Sequence, residues 1–217
     1  MKKILLLIFA LNLTSCQSQT DKNYANVFKN CLTNTDIDLL NKATHNFEKL
    51  LIEHYESDDT NANFKKYLNE ISSNQSVTRF SADFYLNSNS IHIVSEMEEN
   101  GTFDKIWIEF DENQEDLEEE IPITTHPGYK EPKEEEIEIY ILNTNGLFLE
   151  CVNENSTNKE INEVLNSLSK YGDISPSIPA SAINEIMNKN DFNNEINKVI
   201  VTIGFYYNMV NLLNRNP

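Results

Sequence analysis

Apolar residues recur along most of this chain three and four positions apart, the spacing of amphipathic helices. From Asp36 to Glu56, at about 100° per residue, Ile37, Leu40, Ala43, Phe47, Leu50, Leu51 and Tyr55 fall on one face, and Thr35 stands where an N-cap would. Phe64, Tyr67, Leu68 and Ile71 mark a second helix with Thr60 as its cap, and Tyr24 to Leu32 reads as a short helix before both. Ile91, Val94 and Met97 predict a helix after Ser90 that Gly101 stops. Phe103 to Phe110 alternates and predicts a strand or an extended lead-in.

Ile137 to Val152 reads as a β-hairpin. Ile137, Ile139 and Ile141 alternate with Glu138, Tyr140 and Leu142, and the turn falls at Asn143 to Gly146. A three-residue loop with Gly146 left-handed pairs Ile141 with Leu149 and Ile139 with Cys151. Such a hairpin is barely stable alone, so its apolar face must pack on helices. Thr157 and Glu160 form a capping box ahead of Ile161, Val164, Leu165 and Leu168, and Gly172 ends that helix. A loop with Pro176 and Pro179 follows, then a helix from about Ala180 to Lys189.

The last element, Asn194 to Leu213, is apolar nearly all round from Val199, the mark of a core helix or a membrane span. It is short for a span and holds Thr202, Asn208 and Asn211, which favours the core. Val199 to Ile203 is rich in β-branched residues and leaves a strand as the alternative; the length favours a helix. Phe47, Leu51, Val199, Ile203, Phe205 and Val210 are the expected core. The pattern predicts an α+β fold, mainly α: a helical single domain, residues 23–217, with a small antiparallel β-hairpin in the middle segment.

Composition adds charge to this picture. The chain has 217 residues, a formal charge of −18 and 39% hydrophobic residues, enough apolar material to fold. So negative a chain is a poor partner for nucleic acid or anionic headgroups. The acids are concentrated: residues 109–138 carry 13 of them against Lys130 and Lys133, a net of −11. Within that segment Glu112, Glu115, Asp116, Glu118, Glu119 and Glu120 are candidate contacts for a basic partner, since clustered charge speeds encounter. The competing reading is a solvated loop, the usual fate of like-charge blocks. Asp111 to Glu115 offers alternate oxygens but lacks the Gly and closing Glu of an EF-hand.

Other chemistry is sparse. His54 lies in the centre of the first helix's apolar face and reads as a packed core histidine; His45 points the other way, His92 stands alone and His126 belongs to a turn. No zinc spacing links them, so neither a metal nor another cofactor is expected. Nucleophile-elbow, phosphate-loop and dinucleotide motifs are missing, so no catalytic residue is assigned. Cys31 and Cys151 either pair or are two separate buried thiols.

The N-terminus is an address. Met1-Lys2-Lys3 is basic, Ile4 to Leu11 is apolar, and Leu13-Thr14-Ser15-Cys16 follows. This ending resembles the lipobox of bacterial lipoproteins, and the resemblance covers this segment alone. It implies that residues 1–15 are removed as a signal peptide, that Cys16 is lipidated and that residues 16–22 form a tether. It also implies a cell-envelope location anchored in a membrane. Gln17 stands where an Asp often retains such proteins in the inner membrane, which favours the outer membrane. Loss of Lys2 and Lys3 takes the formal charge from −18 to −20.

Three functional classes follow. The first is a non-enzymatic binding module, in a sharper form an immunity-type inhibitor of a basic toxin at the membrane. The alternative is an envelope-polymer hydrolase or glycan-binding lipoprotein that uses carboxylates. A structural or assembly role is a third.

Overall fold

A computed structural model describes residues 22–73, 79–110, 138–143, 145–156, 158–168 and 177–216. The described residues are mostly helical, with one two-stranded antiparallel sheet, the α+β, mainly α class that the pattern predicts.

A 3-10 turn, Asn26–Phe28, precedes the long helix α1, Asn34–Tyr55. The cap of α1 is Thr33, not Thr35. The Thr33 hydroxyl accepts from the Asp36 amide and the Asp36 carboxylate accepts from the Thr33 amide. Thr35 and Asp38 offer the same local pattern, but Asp36 is fixed from outside the helix by Lys105 and Thr102. Glu56, left-handed at φ 50°, ends α1. Helix α2, Thr60–Ser72, is capped by Asp59 rather than Thr60. The one-turn helix α3, Ala82–Tyr85, and α4, Ser88–Glu99, follow, and Gly101 at φ 68° lets the chain leave α4.

After a 3-10 turn at Phe103–Lys105, β1 is Trp107–Glu109 and pairs with β2, Tyr140–Leu142, matching Trp107 to Leu142 and Glu109 to Tyr140. The expected hairpin is therefore corrected. Leu147–Asn155 is a helix, α5, so Ile141 pairs with Ile108 and not with Leu149. Leu142 and Trp107 face the core, and Gly146 has φ −81°. Glycine is needed at 146 for space: a Cβ there would lie 2.4 Å from the Lys105 carbonyl oxygen.

Helices α6, Lys159–Leu168, and α7, Ser177–Ile186, come next. Asn158 accepts from the first amides of α6; Thr157, the expected cap, and Gly172 lie outside the described residues. Pro179 sits in the first turn of α7, where its missing N–H costs nothing. Beyond a 3-10 turn at Lys189–Asn193, α8, Glu195–Val201, runs through a π-helical turn, Thr202–Tyr207, into α9, Asn208–Arg215. The strand alternative for residues 199–203 is thus not taken.

Every residue from Ile196 to Tyr207 is buried. This segment and α1 form the axis of the core, with α2 and α4 flanking α1. Helix α7 packs along α2, α6 beside α7, and the sheet against α9. Phe47, Leu51, Val199, Ile203, Phe205 and Val210 are all buried as expected. Tyr206 stacks on Phe47 with ring centroids 4.3 Å apart, and its hydroxyl reaches Ser90, Asn87 and the Phe84 carbonyl. Lys65 of α2 donates to the Asn184 and Met187 carbonyls, at 2.6 Å each, and so caps the C-terminal end of α7.

Candidate functional site

Cys16 lies outside the described residues, and so do Glu112, Glu115, Asp116, Glu118, Glu119, Glu120 and His126. The two roots of the acidic segment are described. Glu109 is opposite Tyr140, and the Phe110 amide donates to the Ile139 carbonyl at 2.8 Å. Phe110 and Glu138, on either side of residues 111–137, therefore stand beside neighbouring strands at one end of the sheet.

Arg215 holds that end. Its guanidinium lies 4.3 Å from the Tyr140 ring centroid and 5.1 Å from that of Phe103. It pairs with Glu98, and with Glu138 at 3.6 Å. Asn216 exchanges two hydrogen bonds with the Glu138 backbone, at 3.0 and 3.2 Å. The start of the second acidic root is thus clamped by the chain's last helix. Sequence reasoning missed Arg215, although it is one of only two arginines in the chain.

The N-terminal segment is fixed at both ends. Cys31 and Cys151 form a disulfide, with Cα atoms 5.9 Å apart, that joins this segment to α5. Tyr24 donates to the buried Glu48, which also takes Lys22 at 3.0 Å and the buried Lys198 at 3.4 Å. Burial works against the Glu48 charge, but the Tyr24 hydroxyl, Lys22 and Lys198 hold its carboxyl below the usual carboxylate range. Burial, and then Glu48 itself, push the Tyr24 phenol far up, so it stays a donor.

His54 is exposed, which corrects its expected place in the core. At the last turn of α1, Tyr55 meets Glu70 and Lys66 of α2, while His54 is left exposed. His54 there lies over Phe80 and Phe84, with ring centroids 5.0 and 5.4 Å away. The three rings floor a shallow groove of about 650 Å³ that Leu50, Glu53, Arg79 and Asp83 complete. His92 is exposed and faces Glu96 at 3.3 Å; His45 is half-buried.

Among the described residues, no Ser, Thr or Cys side chain is hydrogen-bonded to a histidine, and no group of three His, Cys, Asp or Glu side chains is placed to hold a metal ion. No described helix is long and apolar enough to cross a membrane. No protein-family model, curated protein or solved structure matches the chain.

Proposed function

We propose that this chain is a lipid-anchored protein of the bacterial cell envelope that binds a basic protein and is not an enzyme. The lipobox-like ending at Cys16 supports the anchor, and Gln17 favours the outer membrane over the inner. The Cys31–Cys151 disulfide supports export, because such bonds persist in oxidising compartments.

The observation that carries the binding reading is the sheet pairing of Glu109 with Tyr140. It brings together the two roots, Glu109 and Glu138, of a segment whose sequence carries a net charge of −11. Concentrated charge in one place raises the encounter rate with an oppositely charged partner. Arg215, Glu98 and Asn216 fix the second root of that segment to the folded body.

The test is affinity capture from envelope extract, with the full chain and the Glu118→Gln/Glu119→Gln/Glu120→Gln variant side by side. A basic protein enriched by the parent and depleted with the variant is the expected result. Equal recovery with both proteins would remove the acidic segment from the reading. Separately, Cys16→Ser should abolish incorporation of radiolabelled lipid; incorporation that survives would remove the anchor.

A further inference from the structure

We infer that the groove between the end of α1 and α3 receives an arginine side chain of the partner protein. This rests on the protein-binding reading above and gives it a second contact, away from the acidic segment. The groove has an aromatic floor and an acidic rim. Phe80 is buried and Phe84 half-buried, with ring centroids 4.7 Å apart, and His54 completes the floor. Glu53 and Asp83 stand exposed on the rim.

Among the described residues, neither rim acid is held by a close cation. Asp83 has no ion pair among the described residues. Glu53 meets only Lys49, at 3.8 Å with both side chains more than half exposed, a pairing that water largely screens. The lining has a cation of its own, Arg79, more than half exposed and 3.9 Å from Glu70, but among the described residues it is not stacked over Phe80 or Phe84.

The chain already satisfies one of its own arginines in this way. Arg215 lies over the Tyr140 and Phe103 rings and pairs with two carboxylates, Glu98 and Glu138. The groove offers the same set of groups, aromatic rings with two carboxylates, and no guanidinium of its own over them. A planar guanidinium can stack on the rings and fork onto a carboxylate; a lysine ammonium does the first less well and the second not at all.

The groove also faces the right way. Glu48 holds the N-terminal segment on one side of α1. Counted around the helix from Glu48, Glu53, Leu50 and His54 lie about 140°, 200° and 240° away, on the opposite side. Six residues from Cys16 to Lys22 reach at most about 20 Å. A membrane held close to the Lys22 side therefore leaves the groove open to a partner.

The test is an NMR titration of the full chain in detergent with the capped tripeptide acetyl-Gly-Arg-Gly-amide. The ring signals of His54 and Phe84 should shift saturably, and the lysine analogue should shift them less. Glu53→Gln/Asp83→Asn should weaken arginine binding about tenfold. Both positions are exposed, and a thermal unfolding trace of the double variant checks that the fold is kept. Changing Glu118, Glu119 and Glu120 to Gln should leave the groove shifts as they were. Groove signals that do not move, or that move equally in the double variant, overturn the inference. Arginine binding lost only in the triple variant also overturns it, while leaving the acidic segment as the binding surface.

Discussion

Asp36 and Glu48 are buried to 1% and 4% exposure, and cations from distant parts of the chain hold both. Lys105 lies 2.7 Å from both Asp36 oxygens, 69 positions away, and Lys198 reaches Glu48 across 150 positions. Neither pair was legible in the sequence, because local patterns carry no information about which charges meet at that separation. The same holds for the Thr33 cap: two threonines offered identical local chemistry, and a tertiary contact chose between them. Glu48→Ala should cost about 3 kcal/mol, since it removes the buried partner of the Lys198 ammonium and leaves it only the more exposed Glu195 at 3.6 Å; urea unfolding measures it. For Asp36, burial opposes the charge, but hydrogen bonds from Lys105, Thr33 and Thr102 outweigh it and lower its pKa. A lowered folded pKa adds stability above the unfolded value of about 3.9, and that stability is lost as pH falls through the folded value. Asp36→Asn should therefore be less stable than the parent at neutral pH, with the gap closing below about pH 4. A gap that stayed constant down to strong acid would contradict this.

At the scale of elements, most helices and both strand segments were legible, and the strand pairing was not. The periods of α1, α2, α4 and the α8 to α9 segment are long and repeated, so their apolar faces show without an alignment. The stretch around Gly146 carried a strong hairpin signal, yet Leu147–Asn155 is helical. Phe148, Leu149, Cys151 and Val152 are buried there, a three-and-four spacing that alternation had masked. The strand partner of Tyr140–Leu142 instead comes from residues 107–109, across the acidic segment. Two glycines separate the space argument from the helix argument. Gly146→Ala drives a Cβ into the Lys105 carbonyl and should cost about 1–3 kcal/mol, as overpacking does. At Gly204 the nearest atoms to a Cβ, from Leu142 and Leu165, are 3.8 Å away. Gly204→Ala should therefore be neutral or stabilising by up to about 1 kcal/mol. Thermal unfolding of the two variants checks both signs.

For the whole molecule, two long-range devices tie the N-terminal segment to the core, the Glu48 cluster and the disulfide, and the Asp36 cluster ties the start of α1 to Thr102 and Lys105. The disulfide closes a loop of 120 residues, which in the chain-entropy account is worth about 4–5 kcal/mol. Cys31→Ser/Cys151→Ser should lower the unfolding midpoint and make it insensitive to reductant, whereas the parent should fall toward the variant when reduced. The candidate site was only half legible at this scale. Charge density in residues 109–138 was plain, but the clamp of Arg215 and Asn216 on Glu138 and the groove at His54 both depend on how helices pack. The central proposal is that an acidic segment with fixed roots steers a basic partner onto an anchored protein. The measurement that tests it most directly is the association rate of the full chain with its captured partner as salt shortens the Debye length from about 10 Å to about 3 Å. The account predicts a steep fall in that rate, much flattened in the Glu118→Gln/Glu119→Gln/Glu120→Gln variant, with dissociation little changed. A rate independent of salt and identical for both proteins would contradict it.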